Sequence, residues 1–318
     1  MLLPQFNQLL LHRSASVQPT SGVPAPVITA PASVDPRSVN NAVIQKIISD
    51  GHQNAMHNPV QILSVLQKEL IHGRKLDLTD GESTCEGETN YICVNREDIL
   101  KTTFMELESI TDFCMTFKVD FMGEMARDMG GPRKEWIRCV NCAIKEKYFD
   151  HGLLDFCCND YFYVGLMMGI ALLQNGQLPK YLPEDVISKL VVMPITNSCV
   201  AHIQNGLQIF GFVKLFQAFP TLLHLLQPSN EKLTPKLLMN LFSPDGSTAV
   251  AKEKQVYAIF VHYVQQVASG RRDPISLNNI LEFVTGASEE PVLVFAMHPT
   301  ITFTSGEYCQ VKDQTLCC

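Results

Sequence analysis

The sequence predicts an α+β protein that is mainly helical, and three observations support that prediction. The segment Tyr161–Gln174 is apolar nearly all round, which is typical of a helix buried at the centre of a core. Segments on both sides of it repeat apolar residues at helical spacing. Toward the carboxyl end, Pro291–Met297 and Thr300–Thr304 are rich in β-branched and aromatic residues, which favour short strands.

Bulk composition limits the classes of protein to consider. With 318 residues, 46% hydrophobic and 18% charged, the chain can bury a sizeable core in one large or two medium domains. Its net charge of -7 argues against general binding of nucleic acid, which needs clustered Lys and Arg. The longest apolar run, Tyr161–Leu173, is shorter than the roughly 20 residues that span a bilayer. We therefore expect a soluble protein with no nucleic-acid or membrane partner.

The amino-terminal segment, residues 1–57, is predicted to be disordered or linker-like. Five prolines among small residues between Pro19 and Pro36 indicate an extended chain that cannot pack a core. The apolar patch Leu9–Leu11 precedes its charge, Arg13, which is the wrong order for a secretory signal. The absence of acidic residues before Asp35 leaves an organelle transit peptide as an alternative.

Residues 58–90 are predicted to form a helix and a polar loop that pack on the main domain. Asn58 is a suitable N-cap and Pro59 suits the first turn, while Gly73 would stop the helix. Its apolar residues share one face: Ile62, Leu63, Leu66 and Leu70. This stripe is too small to form a core of its own.

The central helix Tyr161–Gln174 should end at Asn175–Gly176. Gly165 and Gly169, four residues apart on it, would allow a neighbouring backbone to approach closely. After it, His202–Leu226 predicts one or two helices interrupted at Pro220.

The remaining helices are predicted from start and stop signals. Pro183 and Thr234–Pro235 mark helix starts, and Lys254–Val267 keeps its apolar residues at helical spacing. Ser276 should cap a last helix, and Gly286 lies just past its end. Because the strands follow these helices, the carboxyl-terminal part is predicted to be α+β.

The densest local pattern is Val119–Glu135, which reads V-D-F-M-G-E-M-A-R-D-M-G-G-P-R-K-E. Its apolar alternation predicts a short strand, and the turn Gly130–Pro132 predicts positive φ angles and then a helix start. Glu124 and Asp128 could accept hydrogen bonds from backbone N–H groups that the turn leaves unpaired. Taken alone, the segment is typical of a structural strand-loop-helix joint.

Four blocks, in order, resemble the HECT family of ubiquitin ligases. They are Val94–Leu100, Val119–Glu135, Tyr161–Leu172 and Leu281–Gly286. The resemblance runs from about residue 91 to residue 304, and four blocks in order are more specific than any one. It implies a bilobal HECT-like domain, with a mainly helical large lobe at residues 91–241 and a small α+β lobe, incomplete at its carboxyl end, at residues 242–318.

The resemblance also implies a chemistry and partners. Such ligases accept ubiquitin from a ubiquitin-conjugating enzyme onto a cysteine of the small lobe and pass it to a lysine of a protein substrate, here unknown. A thiolate suits this reaction because it is strongly nucleophilic and its thioester stays reactive to an amine. No cofactor is implied. A hinge between the lobes would fall at Phe242–Ser247. We expect the protein to be located in the cytoplasm or the nucleus.

The sequence departs from the family at the nucleophile. The family motif Leu-Pro-x-Ala-x-Thr-Cys should follow Thr304, but the chain reads S-G-E-Y-C-Q-V-K-D-Q-T-L-C-C there. Cys309 is the nearest thiol, and it is either an atypical nucleophile near Lys312 or an inert thiol on a frayed tail. The hypotheses are therefore an active transferase, an inactive module that docks a conjugating enzyme or ubiquitin, and a helical scaffold unrelated to ubiquitin.

The 11 cysteines are spread irregularly, which predicts reduced thiols in the cytosol or nucleus. Cys139-x-x-Cys142 with Cys157–Cys158 superficially resembles a zinc site, but the second pair is adjacent and the first lies in a predicted helix. His151 beside a glycine adds no ligand pattern. The terminal Cys317–Cys318 lacks a prenylation box. Buried or half-buried thiols without a metal are therefore expected.

Overall fold

The computed structural model describes residues 37–39, 41–78, 87–125, 129–192, 198–228, 232–244, 251–295, 299–301 and 311–312. They all fall in one compact unit, Asp35–Cys318. Within them the fold is mixed α+β and mostly helical, as predicted, with two small sheets. None of the helices in these ranges has the length and apolar character needed to cross a membrane.

Two helices, α1 (Asn41–Gln53) and α2 (Pro59–Leu70), precede the first strand. The start of α2 is confirmed, since the side chain of Asn58 accepts a hydrogen bond from the N–H of Val60 at 2.9 Å. The four predicted apolar residues of α2 are also buried.

Helix α1 contradicts the prediction that residues 1–57 are disordered or linker-like throughout. Ile44 of α1 is fully buried and packs against Gly211, and the N–H of Val39 donates to the carbonyl of Ile209 at 2.7 Å. The prediction was wrong here because a few isoleucines in a polar window give a weak periodic signal, and their partners are distant in sequence. The predicted linker at Pro19–Pro36 lies outside the described residues.

A β-α-β unit follows, formed by β1 (Asn90–Val94), α3 (Ile99–Ser109) and β2 (Phe117–Phe121). The two strands pair in parallel, with Asn90 opposite Phe117 and Val94 opposite Phe121. Residues of β2 are alternately buried and half-buried, which confirms the strand predicted around Val119 and Phe121.

Three helices form the centre of the structure: α4 (Gly131–Tyr148), α5 (Asp160–Leu173) and α7 (Ser198–Gln208), with the short α6 (Glu184–Lys189) between the last two. Helix α5 is buried along its whole length from Val164, as predicted. Its backbone meets that of α7 at Gly165, where a Cβ atom would lie 2.2 Å from the carbonyl oxygen of Ile203. The predicted approach of a neighbouring backbone is confirmed at Gly165, whereas Gly169 packs against the ring of Phe210.

The predicted helical region His202–Leu226 is broken twice. Helix α8 (Phe212–Ala218) is followed by a 3-10 helix at Pro220–Leu226, so the break at Pro220 is confirmed. An additional break separates α7 from α8 at Gly211, whose φ of 76° is left-handed. That break was missed because an isolated glycine inside a helical pattern is an ambiguous signal.

The carboxyl-terminal part contains α9 (Pro235–Leu241), β3 (Ser243–Pro244), α10 (Ala251–Ala268), α11 (Leu277–Thr285), β4 (Thr300–Ile301) and β5 (Val311–Lys312). Strand β4 pairs in parallel with β3 and antiparallel with β5. Ser276 and Asn279 form a capping box at the start of α11, and Gly286 ends it with a φ of 71°. Both ends of this helix are as predicted.

The predicted strand at Pro291–Met297 is wrong for the residues described, Pro291–Phe295. They form a turn, in which Val294 has a φ of 56°. The residues have the composition of a strand, but no neighbouring strand is available to pair with them along the described chain, and β propensity depends on such context. Residues 296 and 297 lie outside the described part.

The apolar side chains divide into two clusters. The first cluster extends from α1 to the 3-10 helix at Pro220–Leu226 and includes α2, the β-α-β unit, α4 and α5. The second cluster consists of Leu238, Leu241, Phe242, Val264, Val267, Leu277, Leu281, Val284, Ala287, Phe295 and Ile301. The finer bilobal arrangement and the boundary at residues 241 and 242 stay predictions.

We predict that Gly165→Ala destabilises the protein by about 3 kcal/mol, because the new methyl group overlaps a backbone carbonyl in a packed core. Urea unfolding followed by circular dichroism measures the loss. The control Ser64→Ala, at an exposed position of α2, should change the free energy of unfolding by less than about 0.5 kcal/mol. Equal stability of the two variants would contradict a backbone contact between α5 and α7.

Candidate functional site

The turn before α4 is the best-defined part of the candidate site. Gly130 has a φ of 119° and Pro132 lies in the first turn of the helix, as the sequence predicts. The positive φ predicted for a second residue is not found at Gly131, which is already part of α4. A Cβ atom on Gly130 would lie 2.3 Å from Oδ1 of Asp77 and 2.9 Å from the carbonyl oxygen of Leu76. Glycine is therefore required here both by backbone conformation and by the close approach of another segment.

A buried charge cluster stands at this turn. Arg133 is fully buried and its Nη2 lies 3.1 Å from Oδ1 of Asp77, while Nζ of Lys134 lies 3.0 Å from the same oxygen. Arg133 also donates a hydrogen bond to the carbonyl of Leu76. The carboxylate of Asp77 thus pairs with two cations, and no more than 8% of any of the three side chains is exposed.

The cluster sets the pKa of Asp77. Burial alone would raise this pKa, but the charges of Arg133 and Lys134 and their hydrogen bonds outweigh it and hold the pKa below its ordinary value. Both cations lie in the first turn of α4, where the helix dipole disfavours positive charge. That unfavourable placement is the signal in the sequence that a carboxylate from elsewhere must be close.

A second, more exposed chain of charges runs from the loop after β2 to α11. Arg96 donates hydrogen bonds to Glu124 and to Glu135, the latter at 2.9 Å, and its guanidinium lies 3.9 Å from the ring centre of Phe121. These hydrogen bonds raise the pKa of Arg96 and lower that of Glu124. The chain of charges continues through Arg138 to Glu282 of α11.

The predicted role of Glu124 was therefore wrong. Its carboxylate pairs with Arg96 rather than with backbone N–H groups of the glycine turn, because the guanidinium offers two parallel donors to it. Asp128 lies outside the described residues. The sequence interpretation also missed Asp77 and Arg138, whose partners are distant in the chain.

Two of the sequence blocks meet in space. Gly286, at the end of α11, lies against Gly131 at the start of α4, and a Cβ atom there would come within 3.0 Å of the carbonyl oxygen of Gly131. The block Val119–Glu135 and the block Leu281–Gly286 thus form one contact between the two apolar clusters.

A cleft of about 500 Å³ is lined by residues of α4, of the segment after α5 and of α9. Its lining includes Cys142 and Lys145 of α4, Tyr181, Leu237 of α9 and Glu289. Cys142 is exposed, whereas burial raises the pKa of the neighbouring thiol of Cys139. The cleft is lined by residues that belong to both sides of the contact.

The cysteines of the described part do not form a metal centre. Cys139 and Cys142 lie on α4, whereas Cys157 ends a 3-10 helix (Asp155–Cys157) that Cys158 follows before α5. The described ranges contain no group of three His, Cys, Asp or Glu side chains arranged to hold a metal ion. Cys309 lies outside the described residues, as do Asp245–Ser247 of the predicted hinge.

The comparison with known proteins gives a relative that matches part of the chain. No protein-family model matches the chain. Over 135 residues the chain is 27% identical to a Schizosaccharomyces pombe protein named probable E3 ubiquitin-protein ligase mug30. The match covers 36% of this chain and 16% of that protein. Part of the chain is therefore similar to part of a protein that carries the name of a ubiquitin ligase.

We predict that Asp77→Asn destabilises the protein by about 3 kcal/mol at pH 7, because it leaves the buried cations without a counter-charge. The depressed pKa stabilises the fold above pH 4, and this stabilisation is lost as the pH falls through the folded pKa. The difference in the free energy of unfolding between the wild type and Asp77→Asn should therefore become smaller below pH 4.

Urea unfolding between pH 7 and pH 3 measures this difference. Asp185→Asn is the matched control, because the pKa of Asp185 is also lowered, through a hydrogen bond from Lys189, but the ion pair is exposed. It should leave stability unchanged within error. A constant difference across the pH range would contradict the role assigned to the Asp77 carboxylate.

Proposed function

We propose that the protein is a ubiquitin-protein transferase of the HECT type. The observation that carries the proposal is the 27% identity over 135 residues to a protein named as a probable E3 ubiquitin ligase. The four sequence blocks support it, because two of them, at Gly131 and Gly286, come into contact across the two apolar clusters. Its partners would be a ubiquitin-conjugating enzyme, ubiquitin and a protein substrate, in the cytoplasm or nucleus.

The chemistry would proceed in two acyl transfers. A thiolate of this protein attacks the thioester carbonyl that joins the carboxyl terminus of ubiquitin to the conjugating enzyme, and the thiolate of that enzyme leaves. The unprotonated amine of a substrate lysine then attacks the new thioester. An amide bond forms, the amine loses a proton, and the thiolate of this protein is released.

Cys309 is the residue to test as nucleophile, because it is the first thiol after Thr304. The missing Leu-Pro-x-Ala-x-Thr-Cys motif favours a second candidate function. In that case the protein is a binding module that docks a conjugating enzyme or ubiquitin without forming a thioester. The buried cluster at Asp77 and the ion pairs around Arg96 would serve either function as structural supports, since they contain no nucleophile.

We predict that incubation with ubiquitin, its activating enzyme and a panel of conjugating enzymes produces a ubiquitin adduct that a reducing agent removes. Cys309→Ala should abolish this adduct, and Cys142→Ala, which changes an exposed thiol on α4, should not. Denaturing gels run with and without reductant measure the adduct in the wild type and in each of the two variants.

The other outcomes separate the two functions. Binding of a conjugating enzyme without any adduct would support the binding module and overturn the transferase. If the adduct still forms in Cys309→Ala, the nucleophile is another cysteine. Absence of both the adduct and binding of either ubiquitin or a conjugating enzyme would overturn both proposals.

A further inference from the structure

The cleft lined by α4 and α9 has polar side chains that are already hydrogen-bonded within the protein. Nδ2 of Asn141 on α4 donates to the carbonyl of Gln177 at 2.8 Å, and the hydroxyl of Tyr181 donates to Oδ1 of Asn141 at 3.3 Å. Nδ2 of Asn278, also in the lining, donates to the carbonyl of Ser288 at 2.7 Å. These hydrogen bonds hold the lining in place, which is typical of sites that are formed before a ligand binds.

Leucine side chains give the cleft an apolar surface. Leu178 and Leu241 in the lining are buried, with 6% and 5% of each exposed. Leu237 lies one turn before Leu241 on α9, and 49% of it is exposed. A ligand that covers Leu237 would remove apolar surface from water, which is favourable.

The charged side chains of the lining favour an anion. Lysines outnumber glutamates there, although the whole chain has a net charge of -7: the lysines are Lys145, Lys180 and Lys232, and the glutamates are Glu289 and Glu290. Lys180 pairs with Glu289 at 3.2 Å, and Lys145 pairs with Asp150 at 2.6 Å. Along the described part of the chain, no acidic side chain forms an ion pair with Lys232. A concave site of this kind concentrates anions more than a flat surface does.

We propose that this cleft binds a small amphiphilic carboxylate, whose apolar chain covers Leu237 and whose carboxylate lies beside Lys232. The amide and phenol groups of the lining are engaged with one another or with the backbone, so leucine side chains and ammonium groups remain to recognise a ligand. The volume of about 500 Å³ lies within the range of roughly 300–1,000 Å³ that is typical of small-molecule sites. This inference does not depend on ubiquitin transfer.

Protection of Cys142 from alkylation tests the proposal on the full chain. The thiol of Cys142 is exposed and belongs to the lining, so the rate at which iodoacetamide alkylates it reports whether the cleft is occupied. Mass spectrometry of the peptide that contains Cys142 measures this rate. Decanoate, kept below the concentration at which it forms micelles, is the probe. Decyltrimethylammonium carries the same apolar chain with the opposite charge.

We expect decanoate to protect Cys142 and decyltrimethylammonium to slow its alkylation by less than about twofold. At a decanoate concentration about ten times its dissociation constant, alkylation should slow about tenfold, because only the free cleft reacts. The concentration dependence of the protection gives the dissociation constant.

Two variants remove one part of the recognition each. Leu237→Glu replaces apolar surface with a negative charge and should raise the dissociation constant of decanoate about tenfold. Lys232→Gln changes an exposed side chain and should raise it about threefold without affecting the fold. Ile259→Glu is the matched control, because Ile259 is exposed on α10 and lies outside the lining, and it should leave the constant unchanged.

Three results would overturn the proposal. In the first, decanoate gives no protection at any concentration below micelle formation. In the second, the two amphiphiles protect equally, which would show that charge plays no part. In the third, Ile259→Glu weakens decanoate binding as much as Leu237→Glu and Lys232→Gln do, which would show that decanoate binds to the surface in general.

Discussion

The ion pairs of Asp77 are the constraint on which the arrangement around α4 depends. Helix α4 carries Arg133 and Lys134 in its first turn, and two cations buried at the positive end of a helix are unstable without a counter-charge. The carboxylate of Asp77 supplies it and at the same time ties the chain before β1 to the start of α4. Gly130 is required because any side chain there would overlap this carboxylate.

Several distant contacts then follow from the position of α4. Trp136 donates to the hydroxyl of Thr103 in α3 at 3.0 Å, and Asn141 donates to the carbonyl of Gln177 at 2.8 Å. Arg138, on the same helix, reaches Glu282 of α11. One helix therefore connects the β-α-β unit, the segment after α5 and the second apolar cluster. We therefore expect a change in the position of the start of α4 to affect the contacts of Trp136, Asn141 and Arg138.

The contacts within the first apolar cluster differ in kind from the contacts between the two clusters. Within the first cluster, helices α5 and α7 touch backbone to backbone at Gly165, and the surrounding side chains are fully buried. Such packing is cooperative and does not loosen by small steps. Between the clusters, the contacts include the hydrogen bonds of Asn175, the Arg138–Glu282 ion pair and the close approach of Gly286 to Gly131.

The sequence by itself determined several helix ends, because caps, prolines and terminal glycines act within a few residues. Asn58, Ser276 and Gly286 have the roles that their neighbours predict. It also determined the resemblance that motivates the proposed function. It did not determine α1 or the turn at Pro291–Phe295, where the outcome depends on partners far along the chain.

Only the tertiary structure decided the pairings of the candidate site. Asp77 with Arg133, Arg96 with Glu124, and Gly131 with Gly286 each join residues from separate elements. Local pattern shows that a cation at a helix start needs a carboxylate, but not which of the acidic residues approaches. That choice is made by the packing of the helices, because the packed core fixes which surfaces face each other.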